Sequence, residues 1–156
     1  MRATLTAATA AIFAGLAFSA GLSAADDPMM GAWKLVPSKS KLTPDRQRNI
    51  VRKHEPIPGG MKVSWTGVDD KGKPTDWGFS AKFDGKYYPS TAEAFDEVAL
   101  KRVDPYTVEG TSKKNGQQAV TFRWVVSKDG KTLTRSTTRV NPPEQAGTTT
   151  EVFEKQ

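Results

Sequence analysis

Short stretches that alternate apolar and polar residues fill most of the chain between Trp33 and Phe153. The clearest stretch covers residues 76–83, where Trp77, Phe79 and Phe83 occupy alternate positions. A side-chain period of two is typical of β-strands with one buried face. Turn sequences separate the stretches, namely Asp69-Asp70-Lys71-Gly72, Asp84-Gly85, Lys114-Asn115-Gly116 and Lys128-Asp129-Gly130. Because Asn-Gly and Asp-Gly favour tight hairpins, the pattern predicts antiparallel strands in a meander.

About nine strands are predicted in this way, over residues 31–36, 48–54, 61–66, 76–83, 98–103, 106–113, 118–127, 131–140 and 148–154. Ser90 and Glu93 have the spacing of a capping box, so one helical turn is predicted over residues 91–96. The connections are too short for parallel crossovers, so the fold class is all-β and up-and-down. Closure into a barrel removes exposed sheet edges and is the preferred architecture, with a two-sheet sandwich as the second choice.

The first 25 residues differ from the rest of the chain. Arg2 is their only charged residue, and a small and apolar run ends at Ser23-Ala24-Ala25. This pattern is typical of a secretory signal peptide with small residues at the cleavage site. We therefore expect residues 26–156 to form a single β-barrel domain in the periplasm or outside the cell, with no transmembrane segment after cleavage. An uncleaved membrane anchor is the alternative.

Composition removes several classes of function. The chain has no cysteine, which excludes thiol nucleophiles, and its carboxylates lack metal-ligand spacing, so neither a metal nor a cofactor is predicted. The single histidine, His54, lies among Arg52, Lys53 and Glu55 and is expected at the surface, with this basic run as a solvated strand edge. We therefore do not expect the protein to be an enzyme, although isomerase or cyclase chemistry that uses tyrosines stays open. Nucleic-acid binding is not expected, because the aromatic residues lack interleaved lysines.

The interior of the barrel offers the candidate ligand-binding residues. Rings on one face of each strand would line it, namely Trp65, Trp77, Phe79, Phe83, Phe122 and Trp124. If Leu133 points inward, Arg135 and Arg139 do so too, and a buried guanidinium requires a carboxylate partner, a bound anion or a wet cavity. Two alternatives remain open: the rings fill a solid core, or the arginines lie at the rim and reach water.

Gly31-Ala32-Trp33 at the start of the meander resembles the Gly-x-Trp motif of the lipocalins and the wider calycin superfamily. The resemblance implies a barrel that carries small hydrophobic molecules, with Trp33 at the closed end and Arg135 or Arg139 packed across it. Thr75-Asp76-Trp77 resembles the family's second motif but comes too early in the chain. The whole domain is also similar to uncharacterised secreted bacterial proteins, through residues 126–134 and 154–156.

These features predict a non-catalytic binding protein for a small amphipathic or hydrophobic ligand, anionic ligands included. The rings would form its apolar wall, and Arg135 or Arg139 would hold a carboxylate or phosphate. The alternative is a protein-interaction module, an envelope-assembly factor or inhibitor, with a solid barrel core and loops 37–47, 86–96 and 141–147 as its active surface.

Overall fold

The computed structural model describes residues 26–42, 50–68 and 72–156 of the chain. The predicted signal peptide, the turn residues 69–71 and part of the basic run therefore lie outside the described residues. Within them the fold is all-β, and its ten strands are β1 (Gly31–Leu35), β2 (Val51–Ile57), β3 (Gly60–Val68), β4 (Pro74–Lys82), β5 (Asp84–Pro89), β6 (Glu97–Asp104), β7 (Thr107–Lys114), β8 (Gln117–Val126), β9 (Thr132–Arg139) and β10 (Gly147–Lys155). Two short 3-10 helices cover Pro37–Lys39 and Pro143–Gln145.

All ten strands belong to one antiparallel sheet, in the order β4-β3-β2-β1-β10-β9-β8-β7-β6-β5. Every neighbouring pair follows the chain except β1 and β10, which pair with each other. The two ends of the sheet meet at an isolated bridge between Phe79 and Ser90, beside which the Thr91 amide donates to the Gly78 carbonyl at 3.0 Å. The sheet is thus a nearly closed up-and-down barrel, and the barrel is confirmed over the sandwich.

The segment between β4 and β6 differs from the sequence prediction. Asp84-Gly85 was expected as a turn, but Asp84 already pairs with Lys101 and begins the additional strand β5. A bulge follows it, because the register shifts between Asp84 and Tyr87. The helical turn predicted over residues 91–96 is wrong, since this segment contains only turns and bends. Its conformation is set by packing, because the Phe95 side chain is buried against the rings of other strands.

The hairpin between β7 and β8 has the turn that its sequence predicts. Asn115 and Gly116 have φ values of 51° and 76°, in the left-handed region that a tight hairpin requires. The turn before β9 also contains a glycine in this region, Gly130, at φ 71°. These turns fix the register of β8, so that Phe122 and Trp124 face the interior and Arg123 faces outward.

One end of the barrel, here called the base, is closed by residues 27–30. Met29 is fully buried there, and its carbonyl accepts a hydrogen bond from Trp33 Nε1 at 3.2 Å. The Asp27 carboxylate holds this segment in place through both terminal nitrogens of Arg102, at 3.1 and 2.5 Å. The opposite end, here called the mouth, carries the connections over residues 90–96 and 140–147 and the β7–β8 hairpin.

Trp33 is buried at the base, as the resemblance implied. The expectation that Arg135 or Arg139 packs across it is wrong. The Lys155 ammonium lies 5.1 Å from the centre of the Trp33 ring, whereas the Arg135 guanidinium lies over Phe122. The register explains the difference, because β1 pairs Trp33 directly with Lys155 on the final strand. Arg139 lies at the far end of β9, opposite Gly147 at the mouth.

Candidate binding site inside the barrel

Two rows of inward-facing residues cross β7, β8, β9 and β10 halfway along the barrel. The row nearer the base contains Val108, Trp124, Arg135 and Glu151. The row nearer the mouth contains Gly110, Phe122, Thr137 and Thr149. Aromatic, charged and hydroxyl side chains therefore share one inner wall. We call these two rows, together with the buried Ser112 one inward position nearer the mouth on β7, the β7–β10 wall.

Arg135 forms a buried ion pair on this wall. Its Nη1 lies 2.5 Å from Glu151 Oε2, and the two residues are 8% and 2% exposed. Its guanidinium also lies 5.6 Å from the centre of the Phe122 ring. Arg135 thus faces inward with a carboxylate partner, which is one of the three environments that its sequence position required. The alternative of a rim position is wrong for Arg135.

Arg52 lies in the interior and contacts aromatic rings from three different strands. Its guanidinium carbon lies 5.0 Å from the Trp65 ring, 4.9 Å from the Trp124 ring and 5.8 Å from the Phe153 ring. Desolvated cation–π contacts of this kind contribute up to about 2 kcal/mol each. The expectation that this residue belongs to a solvated strand edge is wrong, because Arg52 is 6% exposed and faces inward on β2.

His54 follows Arg52 on the same face of β2 and is also buried. Its Nδ1 lies 2.9 Å from the Met29 carbonyl oxygen, so the neutral ring donates from Nδ1. Burial, with a smaller contribution from the positive charge of Arg52, lowers the pKa of His54 to about 3. The expected surface position of His54 is therefore wrong. Alternation along β2 carried the signal, because it places Arg52 and His54 on one face and Lys53 and Glu55 on the other.

The predicted ring residues form two groups. On the β3–β4 side, the Trp65 ring centre lies 6.1 Å from both Trp77 and Phe79, and Phe95 from the mouth loop joins them. On the β8 side, Phe122 and Trp124 stack with centres 4.9 Å apart.

The other two predicted site residues lie apart from these groups. Phe83 is half-buried at the base, where the Arg102 guanidinium lies 4.6 Å from its ring centre. Arg139 is half-buried near the mouth. The structure therefore brings Trp65, Trp77 and Phe79 into one group and Phe122, Trp124 and Arg135 into another, and Arg52 contacts both groups through Trp65 and Trp124. Phe83 and Arg139 lie outside both groups.

Several polar atoms of the β7–β10 wall are buried without a hydrogen-bond partner among the described residues. They are Ser112 Oγ, Trp124 Nε1, Arg135 Nε, Thr137 Oγ1 and Thr149 Oγ1. A buried donor or acceptor left in this state costs about 1–3 kcal/mol of stability. The wall therefore combines apolar rings with polar atoms that are able to bind a further group.

A separate concavity of about 490 Å³ lies on the outer face of the sheet. Most of the residues lining it occupy the outward positions of β6 to β9, namely Ala99, Lys101, Glu109, Thr111, Thr121, Arg123, Ser136 and Thr138. Phe122 is the one predicted ligand-binding residue among those lining it, and the other predicted rings lie elsewhere. We call this concavity the outer groove.

Comparison with known protein families gave no match for this chain, and comparison with curated proteins found no relative. In the part of the chain that the structure describes, no three histidine, aspartate or glutamate side chains lie together as a metal site would require. No helix among the described residues has the length and apolar character needed to cross a bilayer. The class of site rests on the geometry of the barrel alone.

Proposed function

We propose that the protein is a non-catalytic binding protein for a small amphipathic or hydrophobic molecule, anionic molecules included. The ligand would lie between the rings of the β3–β4 side and the β7–β10 wall, in a barrel of lipocalin type that is exported to the periplasm or secreted. One observation carries the proposal, namely the set of buried polar atoms without partners beside the aromatic rings of the β7–β10 wall.

The energetic cost of that wall supports a binding role. Each unsatisfied buried atom costs about 1–3 kcal/mol, and a buried ion pair is often less stabilising than well-packed apolar residues. A barrel that needed only stability would place hydrocarbon at Ser112, Thr137 and Thr149. Polar groups retained beside apolar walls are the usual composition of a small-molecule site.

The mouth loop supplies a route of entry. Phe95 comes from the loop over residues 90–96, and its ring centre lies 6.3 Å from Trp65 and 6.5 Å from Phe79. A ligand entering at the mouth would take the place of this ring against the same two partners. Its apolar part would thus gain the contacts that Phe95 makes in the free protein.

Tryptophan fluorescence provides the test, because Trp65 and Trp124 lie on the two sides of the proposed site. The protein is titrated with a panel of fatty acids, isoprenoids and haem, and saturable quenching or a spectral shift is expected for at least one compound. Arg123→Ala, on the outer face of β8, is the matched control and should bind equally well. No response across the whole panel would contradict the proposal.

A second candidate, a protein-interaction module, is favoured by the outer groove. This concavity is open to solvent and has charged residues at its edges, including Lys101, Glu109 and Arg123. Charge reversal at Lys101 should then abolish association with a protein partner while leaving the fold and any ligand titration unchanged. An unaltered set of partners in crosslinking of the Lys101→Glu variant would count against this candidate.

A further inference from the structure

We propose that the β7–β10 wall binds an uncharged oxygen acceptor of the ligand, such as the carbonyl of an ester, ketone or amide. This inference rests on the proposed binding function and specifies the chemistry at the polar end of the ligand. Two hydroxyl groups carry it, those of Thr137 and Thr149, which are 2% and 6% exposed and have no hydrogen-bond partner in the part of the chain that the structure describes.

The two hydroxyls lie close together on the inner wall. Thr137 and Thr149 are directly opposite each other on β9 and β10, so their Cβ atoms are about 4.5–5.5 Å apart. Ser112 lies on β7, two strands from Thr137 and in the next row toward the mouth, and at a strand spacing of about 4.8 Å it is too far away to share one ligand atom with the two threonines. One ligand oxygen entering from the mouth would therefore meet the Thr137 and Thr149 hydroxyls together.

The neighbouring threonine pair on the outer face behaves differently. Thr138 and Thr148, also directly opposite each other, have hydroxyl oxygens 3.2 Å apart and form a hydrogen bond. The inner pair is the next cross-strand pair of the same ladder, in which the Cα separation alternates between about 4.5 and 5.5 Å, and it forms no such bond. Both inner hydroxyls are therefore available to a third group on the inside of the barrel.

Two glycines reduce crowding around these hydroxyls. The Phe122 ring leans toward β7, where a Cβ added to Gly110 would meet its Cζ at 2.2 Å, and so away from Thr137 on β9. On β10 the inward position above Thr149 is Gly147, and a Cβ added there would meet no atom within 4 Å. On the mouth side of the two threonines, the next row therefore has no side chain on β10 and has Arg139 on β9.

The surrounding charges favour an acceptor without a charge. The other unpartnered atoms of the wall, Trp124 Nε1 and Arg135 Nε, are donors, so the missing ligand group is an acceptor. A carboxylate bound to Thr149 would lie beside Glu151, two residues further on the same face of β10. The arginines on either side of Thr137 on this face of β9 both have partners, because Arg135 is bonded to Glu151 and Arg139, half-buried near the mouth, has an interaction of its own. A carbonyl oxygen therefore meets the donors without bringing a second negative charge to the wall.

Methyl decanoate and decanoic acid are the probes that test this inference, since they share a chain and differ in the charge of the head group. Each is titrated into the full-length protein, with tryptophan fluorescence for affinity and the infrared carbonyl stretch of the ester for hydrogen bonding. The variants are Thr137→Val and Thr149→Val, which remove a hydroxyl at constant volume. Thr138→Val and Thr148→Val, on the outer face, are the matched controls.

The inference expects the ester to bind at least as tightly as the acid, with a lowered carbonyl stretching frequency. Each inner variant should weaken ester binding by roughly three- to tenfold and equal or exceed the wild type in thermal stability, because it removes an unsatisfied hydroxyl. The outer variants should leave ester affinity unchanged.

Other results would overturn the inference in distinguishable ways. A tenfold preference for the acid, or ester affinity equal in the inner variants and the wild type, would refute the carbonyl site while leaving the binding function in place. Binding of neither probe, together with no response to the fluorescence panel, would refute both.

Discussion

Acidification from pH 7 to pH 5 should destabilise the barrel through His54. The ring is buried and neutral in the folded protein, where burial and then the charge of Arg52 lower its pKa from 6.5 to about 3. The Met29 carbonyl acts in the opposite direction but does not compensate. Below about pH 6.5 the imidazole of His54 is therefore protonated in the unfolded chain but stays neutral in the folded protein. The contribution of His54 to the free energy of unfolding is fully present above this pH and is lost progressively as the pH falls toward 3.

The size of the effect follows from these two pKa values. One pH unit with a full difference of one proton corresponds to about 1.4 kcal/mol, and integration from pH 7 to pH 5 gives about 2 kcal/mol. The aspartates whose pKa is lowered in the folded protein add little to the change in stability between pH 7 and pH 5. Hydrogen bonds from neighbouring groups lower the pKa of Asp84, Asp104 and Asp129 below their ordinary value, so they remain ionised at pH 5 in both states.

Urea unfolding at pH 7 and pH 5, followed by tryptophan fluorescence, measures this difference directly. His54→Gln is the control, because glutamine does not titrate and its amide is able to donate to the Met29 carbonyl. Since His54 is the only histidine, the variant should lose much less stability than the wild type between the two pH values. A small loss remains from Glu55, because the hydrogen bond from Lys53 lowers the pKa of that carboxyl below its usual value. An equal loss of stability in the variant and the wild type would refute the assignment of this effect to His54.

Three further substitutions test the packing. Arg135→Met alone should cost about 3–5 kcal/mol in urea unfolding, because the buried Glu151 loses its guanidinium contact, whereas the double variant with Glu151→Leu should lie close to wild type. Gly110→Ala should cost about 1–3 kcal/mol, since the new Cβ meets the Phe122 ring, and Phe122→Leu should recover part of this loss. Asp27→Asn should raise amide hydrogen exchange in β1 roughly tenfold by weakening the anchor of the base segment.

Much of the fold could be predicted because a half-buried strand shows its period directly in its residues. Phe122 and Trp124 alternate with polar neighbours, so their inward position and the Asn115-Gly116 hairpin could both be read from the sequence. Strand β5 could not, because Asp84-Gly85 resembles a turn and its pairing with β6 depends on a bulge. Packing of Phe95 overrode the local capping signal in the same way.

The polar part of the candidate site was harder to predict because burial of a charge depends on partners that are distant in the chain. Arg135 gains Glu151 only when β9 pairs with β10. Arg52 is accommodated by rings from β3, β8 and β10, and His54 by a carbonyl 25 residues earlier. A rule that assigns basic residues to the surface gives the wrong position for Arg52 and His54.

The adjacency of β1 and β10 constrains the timing of folding. β1 precedes the other nine strands in the chain, but one of its two neighbours in the sheet is β10. It is able to pair with that neighbour only when Gly147–Lys155 has been synthesised. Before that, β1 to β4 and β5 to β9 are able to pair only as two separate sheets. A pairing between strands so far apart in the chain raises the contact order, which slows folding. The barrel is therefore able to close only after its last strand, β10, has been synthesised.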